Sequence, residues 1–263
     1  MISGTQDDAH NSSELREQLR FFLKDHIRQQ TDFCRTEQSR GLPPPPVEKP
    51  CPPNSQSVPL TKVGAWHGVK PIAVEQAIRE RESRRDFSRK LLAFDHLSFL
   101  LWATQGIREM LNRGTALRTV PSAGARHAFE TYICVLDVEG LEPGIYRYLP
   151  VEHRLLQCAA VDQLADRLVE GALGQAFVGR AAATFVWTAV PRRMEWRYGY
   201  ASHKVIALDA GHVCQNLYLA CEAVGAGTCA IAAYDQDAMD QLLGVDGRDE
   251  FTVYLAPVAM LGA

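Results

Sequence analysis

Residues 121–137 read PSAGARHAFETYICVLD and join a flat loop to an apolar segment. The loop has no bulky side chain before Arg126, so its backbone can lie against a planar ligand and offer amide donors. Residues 130–137 are rich in β-branched and aromatic side chains, and glycine-containing turns follow at 139–140 and 143–144. The pattern predicts a buried strand that begins directly after a candidate binding loop.

Regular elements are predicted on both sides of this stretch. Apolar spacing predicts helices over residues 71–81, 95–107, 162–170, 204–224 and 235–243, with Asp95 and Asp235 as N-caps. Strands are predicted over residues 144–148, 182–190, 227–232 and 251–258. Helices and strands do not alternate strictly, so the fold class is α+β. Small residues in the helix over 204–224 suit either a dimer seam or close packing within one chain.

The first 69 residues are interpreted as an N-terminal helical and proline-rich arm, and residues 70–263 as the main domain. The first ten residues are polar and expected to be disordered, and Asn11 with Glu14 predicts a helix start. An apolar stripe then recurs at spacing four, at Leu15, Leu19, Leu23 and Ile27. This stripe should dock on the body of the protein or on its partner. Prolines between residues 41 and 57 predict an extended strap.

Composition limits the classes of function. A chain of 263 residues with 46% hydrophobic content is large enough for a globular enzyme. Its 28 basic and 31 acidic residues give a formal net charge of -3, which argues against nucleic acid or an anionic membrane as a partner. Without a membrane-spanning run or a secretory pattern, the protein is expected to be cytoplasmic. Its seven cysteines are expected to be reduced.

Arg81, Ser83 and Arg85 lie in the segment RESRRDF, where the helix that begins near residue 71 ends. Two guanidinium groups and a hydroxyl can hold a phosphate monoester, because arginine binds such anions through two parallel hydrogen bonds. The alternative is a solvated basic face, since acidic residues alternate with the arginines.

Five motifs follow one another in an order that resembles the nitroreductase-like superfamily, most closely its SagB-type dehydrogenase branch. They are the arginine-serine-arginine segment at 81–85, LSFLLWATQGI at 97–107, PSAGARHAFETY at 121–132, GIYRY at 144–148 and LDAGHVCQNLYLACEAVGAG at 208–227. The resemblance covers about residues 70–258. It implies a nitroreductase-like α+β fold with a central, mainly antiparallel sheet flanked by helices. It also implies a homodimer whose subunits swap contacts around two FMN molecules.

The resemblance further implies which residues contact the cofactor. Arg81, Ser83 and Arg85 would hold the FMN phosphate. Loop residues from the other subunit would lie against the ring: Pro121, Ser122, Ala123 and Gly124. A stretch at a strand end would run along the flavin with amide donors near its reactive nitrogen: Ala230, Ile231, Ala232 and Ala233. Such amides matter because reduction builds negative charge on the ring, which preorganised donors stabilise.

The implied activity is that of an FMN-dependent oxidoreductase. Hydride would pass through the flavin to or from a small organic substrate such as a nitro compound or a quinone, with NAD(P)H as a candidate electron donor. Many relatives carry basic residues just after the last strand, whereas residues 257–263 read PVAMLGA. Either FMN is held less tightly, or Arg84 or a residue of the partner replaces them at the phosphate.

Arg197 and Tyr198 are the candidate catalytic residues. Relatives that oxidise azoline rings in peptides carry a lysine-tyrosine pair at this point of the chain. An arginine keeps its proton near neutral pH and is a poor base, although it can position an anionic substrate or a nicotinamide phosphate. The alternative to a catalytic role is an exposed arginine beside a tyrosine that packs in the core. An azoline dehydrogenase and a non-catalytic ligand-binding protein of the same fold stay open as alternatives.

Other classes of site match less well. Tyr200 and Lys204 fit the Y-x-x-x-K pair of short-chain dehydrogenases, but residues 58–130 lack the glycine-rich nucleotide loop of that class. The histidines and cysteines do not occur at zinc-binding spacing, so no metal site is predicted.

Overall fold

The computed structural model describes residues 4–262, with side chains from Ser12 onward, and a seven-stranded sheet forms its centre. The strands are β1 (Ser57–Pro59), β4 (Phe129–Val135), β5 (Gly144–Leu149), β6 (Arg154–Ala159), β7 (Ala183–Ala189), β8 (Ala226–Thr228) and β9 (Phe251–Met260). They lie in the order β1-β6-β5-β4-β7-β9-β8, and each neighbouring pair is antiparallel. Two further strands, β2 (Ile107–Asn112) and β3 (Thr115–Arg118), form a separate hairpin.

Eight α-helices in the described part of the chain surround these strands. They are α1 (Gly4–Leu23), α2 (His26–Gln29), α3 (Val74–Glu80), α4 (Phe94–Gln105), α5 (Leu164–Gly171), α6 (Arg192–Tyr198), α7 (Ser202–Val224) and α8 (Gln236–Leu243). None of them, between residues 4 and 262, is long and apolar enough to cross a membrane. The predicted fold class, an α+β chain with an antiparallel central sheet flanked by helices, is confirmed.

Strand β4 separates two hydrophobic layers. Ile133 and Val135 belong to the cluster that holds the buried side chains of α4 and α7. Tyr132 and Cys134 point the other way, into the cluster with α5 and α8. Successive side chains of a strand face opposite sides of the sheet. A strand covered on both faces is buried along its whole length and mostly apolar, and Glu130 and Thr131 are the polar residues of β4.

Most predicted elements are confirmed, with shifts at their ends. The Asp235 cap is correct, since its carboxylate accepts a hydrogen bond from the Ala238 amide at 2.9 Å. The Asp95 cap is wrong, because α4 begins at Phe94 after Ala93. The Asp95 carboxylate instead accepts bonds from the Thr61 hydroxyl at 2.5 Å and the His67 amide at 2.7 Å. It fastens the preceding segment to α4, and α4 itself ends before residue 107.

The predicted strand over residues 227–232 is shorter in the structure. Only Ala226–Thr228 form β8, and Ile231 adds one isolated antiparallel bridge to Leu255 of β9. The residues that follow leave the sheet, and Ala232 and Ala233 are exposed. A short strand at the sheet edge thus opens into an exposed backbone segment.

Several predictions for the amino-terminal residues are wrong. Helix α1 begins at Gly4 rather than Asn11, so the predicted start is wrong, and disorder does not hold from Gly4 onward. Residues 1–3 lie outside the described part of the chain. Leu15, Leu19 and Leu23 are each more than half exposed. The apolar stripe of α1 therefore does not dock on the body of its own chain, and docking on a partner stays a prediction.

Residues 41–56 form a strap with no helix and no strand, as the prolines predict. Buried side chains of the sheet hold its backbone. The Arg118 guanidinium donates to the Val47 carbonyl at 2.7 Å, and that of Arg147 to the Lys49 carbonyl at 3.1 Å. The Glu130 carboxylate accepts a bond from the Lys49 amide at 2.9 Å. The strap leads into β1, so residues before 70 complete the sheet; the predicted domain boundary itself stays a prediction.

Candidate functional site

Tyr218, on α7, joins two of the predicted cofactor-binding segments. Its hydroxyl oxygen lies 2.9 Å from Ser83 Oγ and accepts a hydrogen bond from the Ala230 amide at 2.8 Å. The guanidinium carbon of Arg81 lies 5.5 Å from the centroid of its ring. When the tyrosine hydroxyl donates to Ser83, the serine proton stays available to an anionic ligand. One side chain therefore brings Arg81, Ser83 and Ala230 together.

The backbone of the segment RESRRDF lies against the end of β8. Ser83 forms an isolated parallel bridge with Thr228, and the Arg84 amide donates to the Thr228 carbonyl at 2.9 Å. Gly227 allows this approach, since a Cβ there would lie 2.7 Å from Arg84 Cβ. Any larger residue at position 227 would push the segment away from the sheet.

Arg84 and Arg85 play different parts from those of Arg81. Arg85 is exposed, and its guanidinium carbon lies 5.8 Å from the ring centroid of Phe177 rather than against Tyr218. Arg84 pairs with Glu82 at 2.7 Å, and its buried Nε has no hydrogen-bond partner. The structure thus joins two of the three predicted phosphate residues at Tyr218 and places Arg84 beside them.

The predicted amide donors of residues 230–233 are not equivalent. The Ala230 amide bonds to Tyr218, and the Ile231 amide donates to the Leu255 carbonyl at 2.8 Å. Ala232 and Ala233 are exposed, and within the described chain their amides have no acceptor. Of the four residues predicted to donate amide hydrogen bonds to the flavin, only Ala232 and Ala233 therefore have amides that are free in the described chain.

The loop of residues 121–124 meets the candidate catalytic pair within one chain. Gly124 has φ 58°, and a Cβ there would lie 2.6 Å from the Tyr198 hydroxyl oxygen and 3.0 Å from Arg197 Nε. Glycine is required at this position for two reasons: the backbone is left-handed, and no room remains for a side chain. Helix α6 ends at Tyr198, so its last turn presents both residues to the loop.

The turn after Gly124 is strained. Ala125 and His127 also have left-handed backbones, with φ 53° and 47°, which cost roughly 1 kcal/mol or more each for such residues. The His127 amide donates to Ser122 Oγ at 2.9 Å, and its Nε2 lies 3.1 Å from the Ala116 carbonyl oxygen. A carbonyl oxygen only accepts, so Nε2 carries the proton. The two bonds hold the loop in this shape.

Asp209, on α7, lies behind the same loop. Burial raises the pKa of its carboxyl, and interactions with the Ser122 side chain, His212 and the Ala123 backbone oppose the rise. Its Oδ1 lies 3.6 Å from His212 Nδ1, while its buried Oδ2 has no hydrogen-bond partner. Neither Asp209 nor Tyr218 was predicted from the sequence. The signal that could have revealed Asp209 is a carboxyl group on an otherwise apolar helix face.

The loop of residues 121–124 and the segment of residues 81–85, called the phosphate segment, contact α7 at different positions along its length. Asp209 contacts the loop, and Tyr218 contacts the phosphate segment. The nine residues of α7 from one to the other span roughly 13 Å. The two predicted walls therefore contact different turns of α7, and the supply of the loop by a second subunit stays a prediction.

An apolar groove of about 490 Å³ lies between α3, α4 and α7. Phe99, Trp102 and Leu219 contribute to its walls. On α3 beside it, Val74 is 71% and Ile78 56% exposed. A continuous apolar surface of this kind is typical of a protein interface.

Comparison with known proteins identifies the family. The Nitroreductase family model matches residues 78–260, which is more than half of the chain. The chain therefore belongs to the nitroreductase family, as the order of its motifs predicted.

Individual relatives agree with this assignment. The Methanocaldococcus jannaschii protein named "Putative nitroreductase MJ1384" is 30% identical over 190 residues, which are 72% of this chain and 92% of that protein. A Ralstonia eutropha protein whose crystal structure is described as that of "a putative nitroreductase" is 25% identical to this chain. The two structures match with a TM-score of 0.65 over 84% of this chain and all of that one.

A third relative comes from peptide processing. The trifolitoxin-processing protein TfxB of Rhizobium leguminosarum is 29% identical over 133 residues. The match covers 49% of this chain and 36% of TfxB, so the chain spans about a third of that protein's length.

Proposed function

We propose that this oxidoreductase is FMN-dependent and moves hydride through the flavin to or from a small organic substrate such as a nitro compound or a quinone. The observation that carries the proposal is the assembly around Tyr218. It places a guanidinium and a serine hydroxyl close to the unpaired backbone amides of Ala232 and Ala233. This donor set fits a phosphate joined to a flat, electron-accepting ring.

The residues present divide the binding of FMN between them. Arg81 and Ser83 would hold the phosphate, with the half-buried Arg84, which pairs with Glu82, beside them. The free amides of Ala232 and Ala233 would face the ring, where donors fixed by the fold stabilise added negative charge. The flavin supplies the hydride chemistry when it is bound. Tyr198 offers a hydroxyl at the loop where a substrate would lie.

The proposal includes a homodimer. Each chain carries the loop of residues 121–124 and the phosphate segment as separate half-sites along α7, so the loop of one subunit can complete the site of the other. The apolar groove between α3, α4 and α7 supports a second copy as its occupant, because Val74 and Ile78 would otherwise stay in water.

The first test is spectroscopic. The purified protein should be yellow, with the absorption bands of oxidised flavin that bleach on anaerobic addition of NADH or NADPH. Sedimentation should give twice the chain mass. A colourless protein that takes up no added FMN would contradict the proposal. Bound flavin that no donor reduces would favour a non-catalytic protein of the same fold.

A second candidate is an azoline dehydrogenase that acts on a modified peptide. The similarity to TfxB favours it, as does the position of Arg197 and Tyr198 against the loop. The arginine argues against it, since a guanidinium does not accept the proton that azoline oxidation releases. Turnover of a thiazoline-containing peptide, measured beside turnover of a quinone by the same preparation, separates the two candidates.

A further inference from the structure

Two guanidinium groups lie together beside Gly124. Arg197 Nε is 3.0 Å from the position that a Cβ on Gly124 would take. Arg126 follows two residues later in the chain and is only 2% exposed. Burial, and then the charge of Arg197, lowers the pKa of Arg126. The two cations are thus near enough to repel each other.

The hydrogen bonds of Arg126 leave one end of its guanidinium unpaired. Its Nε donates to the Arg193 carbonyl at 3.1 Å, and its Nη1 to Thr115 Oγ1 at 3.2 Å. Its carbon lies 4.6 Å from the ring centroid of Trp196, which fixes the plane of the group. Nη2 is buried without an acceptor. An unpaired, buried, charged donor is unfavourable unless an anion approaches it.

The chain supplies no such anion. Carboxylates on the neighbouring elements have partners of their own: Glu130 pairs with Arg193, Glu195 Oε1 lies 3.0 Å from His203 Nε2, and Asp209 Oδ1 lies 3.6 Å from His212 Nδ1. In the part of the chain that the structure describes, no carboxylate lies within 4.0 Å of the Arg126 or Arg197 guanidinium. Neither arginine therefore has a directly paired carboxylate.

The amino terminus of α7 strengthens the positive field. This helix begins at Ser202, four residues after Tyr198, with no acidic residue in its first turn and no side chain capping it. The first turn of a long helix carries a partial positive charge. Helix α7 thus begins shortly after Arg197 in the chain with no negative charge in its first turn.

We propose that the substrate carries a carboxylate, which docks on Arg197 with Arg126 behind it. A carboxylate matches one exposed guanidinium, because its two oxygens accept two parallel hydrogen bonds. Arg126, with its buried and unpaired Nη2, adds to the local positive potential. This inference rests on the proposed function, since that function puts the reacting group of the substrate beside Gly124.

The kinetic test compares 4-nitrobenzoate with 4-nitrobenzamide, which share a reducible group and differ in charge. In the Arg197→Gln holoenzyme, kcat/KM for the benzoate should fall about tenfold or more, mainly through KM. The value for the amide should fall less, so the ratio of the two kcat/KM values isolates the effect of the substrate's charge, and Arg197→Lys should restore part of the loss for the benzoate. The matched control is Arg192→Gln, an exposed position on the same helix paired with Glu37, which should change neither substrate.

A binding measurement separates this inference from the proposed function. Calorimetric titration of the holoprotein should show benzoate binding at least about tenfold more tightly than benzamide, and Arg197→Gln should remove the difference. Preferential benzoate binding by a protein that reduces neither nitro compound would support the carboxylate site while the proposed function failed. Equal losses for both compounds would overturn the carboxylate site. So would an effect confined to the preference for NADPH over NADH, which would assign Arg197 to a dinucleotide phosphate.

Discussion

The hydroxyl groups of Tyr218 and Ser83 lie 2.9 Å apart, although 135 positions of sequence separate the two residues. The same tyrosine hydroxyl holds the Ala230 amide. A helix, a loop and a strand end therefore share one oxygen atom, and the phosphate half of the proposed cofactor site depends on it.

Replacing Tyr218 by phenylalanine tests this dependence. Loss of one hydroxyl that serves two partners should weaken FMN binding by about 1 kcal/mol, or roughly five- to tenfold in Kd. Fluorescence titration of FMN into cofactor-free protein measures the change. Tyr200→Phe is the matched control, because Tyr200 is 71% exposed. Equal affinities for both variants would show that Tyr218 has no positioning role.

Arg81 and Arg85 should differ in their contributions to cofactor binding. Arg81 lies over Tyr218 beside Ser83, whereas Arg85 lies over Phe177. We expect Arg81→Ala to lower FMN affinity by at least about tenfold and Arg85→Ala to lower it less. The double variant should form a dimer without cofactor, as absorbance during size-exclusion chromatography would show. Full flavin occupancy in the double variant would refute the phosphate assignment.

Gly124 should tolerate substitution less well than Gly140. Both glycines have left-handed backbones, with φ 58° and 73°, but only Gly124 has neighbours where a Cβ would stand. Gly140→Ala should lose about 1 kcal/mol of unfolding free energy through backbone strain alone. Gly124→Ala should lose more and should displace Tyr198. Urea unfolding of the two variants gives the comparison, and equal losses would mean that the contact with Tyr198 is unimportant.

His127 should make the protein less stable in mild acid. Burial, followed by the charge of Arg118, lowers the pKa of His127 to about 3, so the folded protein keeps this ring neutral. The unfolded chain takes up a proton near pH 6.5. Stability is therefore complete above pH 6.5 and is lost as the pH falls toward 3, by at most about 1.4 kcal/mol per pH unit.

The contribution of His127 can be separated from that of other histidines. Burial also lowers the pKa of His96 and of His153, so both add to the same slope. Unfolding free energies of the wild type and of His127→Gln, measured between pH 5 and 7, should differ in slope as well as in absolute value. An unchanged slope would show that His127 is protonated in the folded protein.

The sequence reveals the core elements because their signals are local. Strand β4 is buried along its whole length and mostly apolar, since both of its faces are covered, and α8 begins with a side-chain cap at Asp235. Asp95 misled the prediction for the opposite reason. Its carboxylate bonds to Thr61 and His67, which lie 34 and 28 positions away in the sequence. No local pattern distinguishes such a partner from the first turn of a helix.

The candidate site shows the same limit. Arg81, Ser83 and Gly124 stand in recognisable motifs, and their roles in cofactor binding stay predictions. Tyr218 and Asp209 are single polar residues on an apolar helix, and their partners belong to distant segments. The unequal roles of Ala230 and Ala232 depend on which amides the fold has already used. That information exists only after the chain has folded.

The strap of residues 41–56 bears on how the gene can be engineered. Arg118 and Arg147 are almost fully buried and use the strap's carbonyl oxygens as acceptors. A shortened chain that starts near residue 70 would strand both guanidinium groups in the interior and uncover the edge of β6. Such a truncation should yield aggregated material, and affinity tags or fusion partners belong ahead of α1 instead.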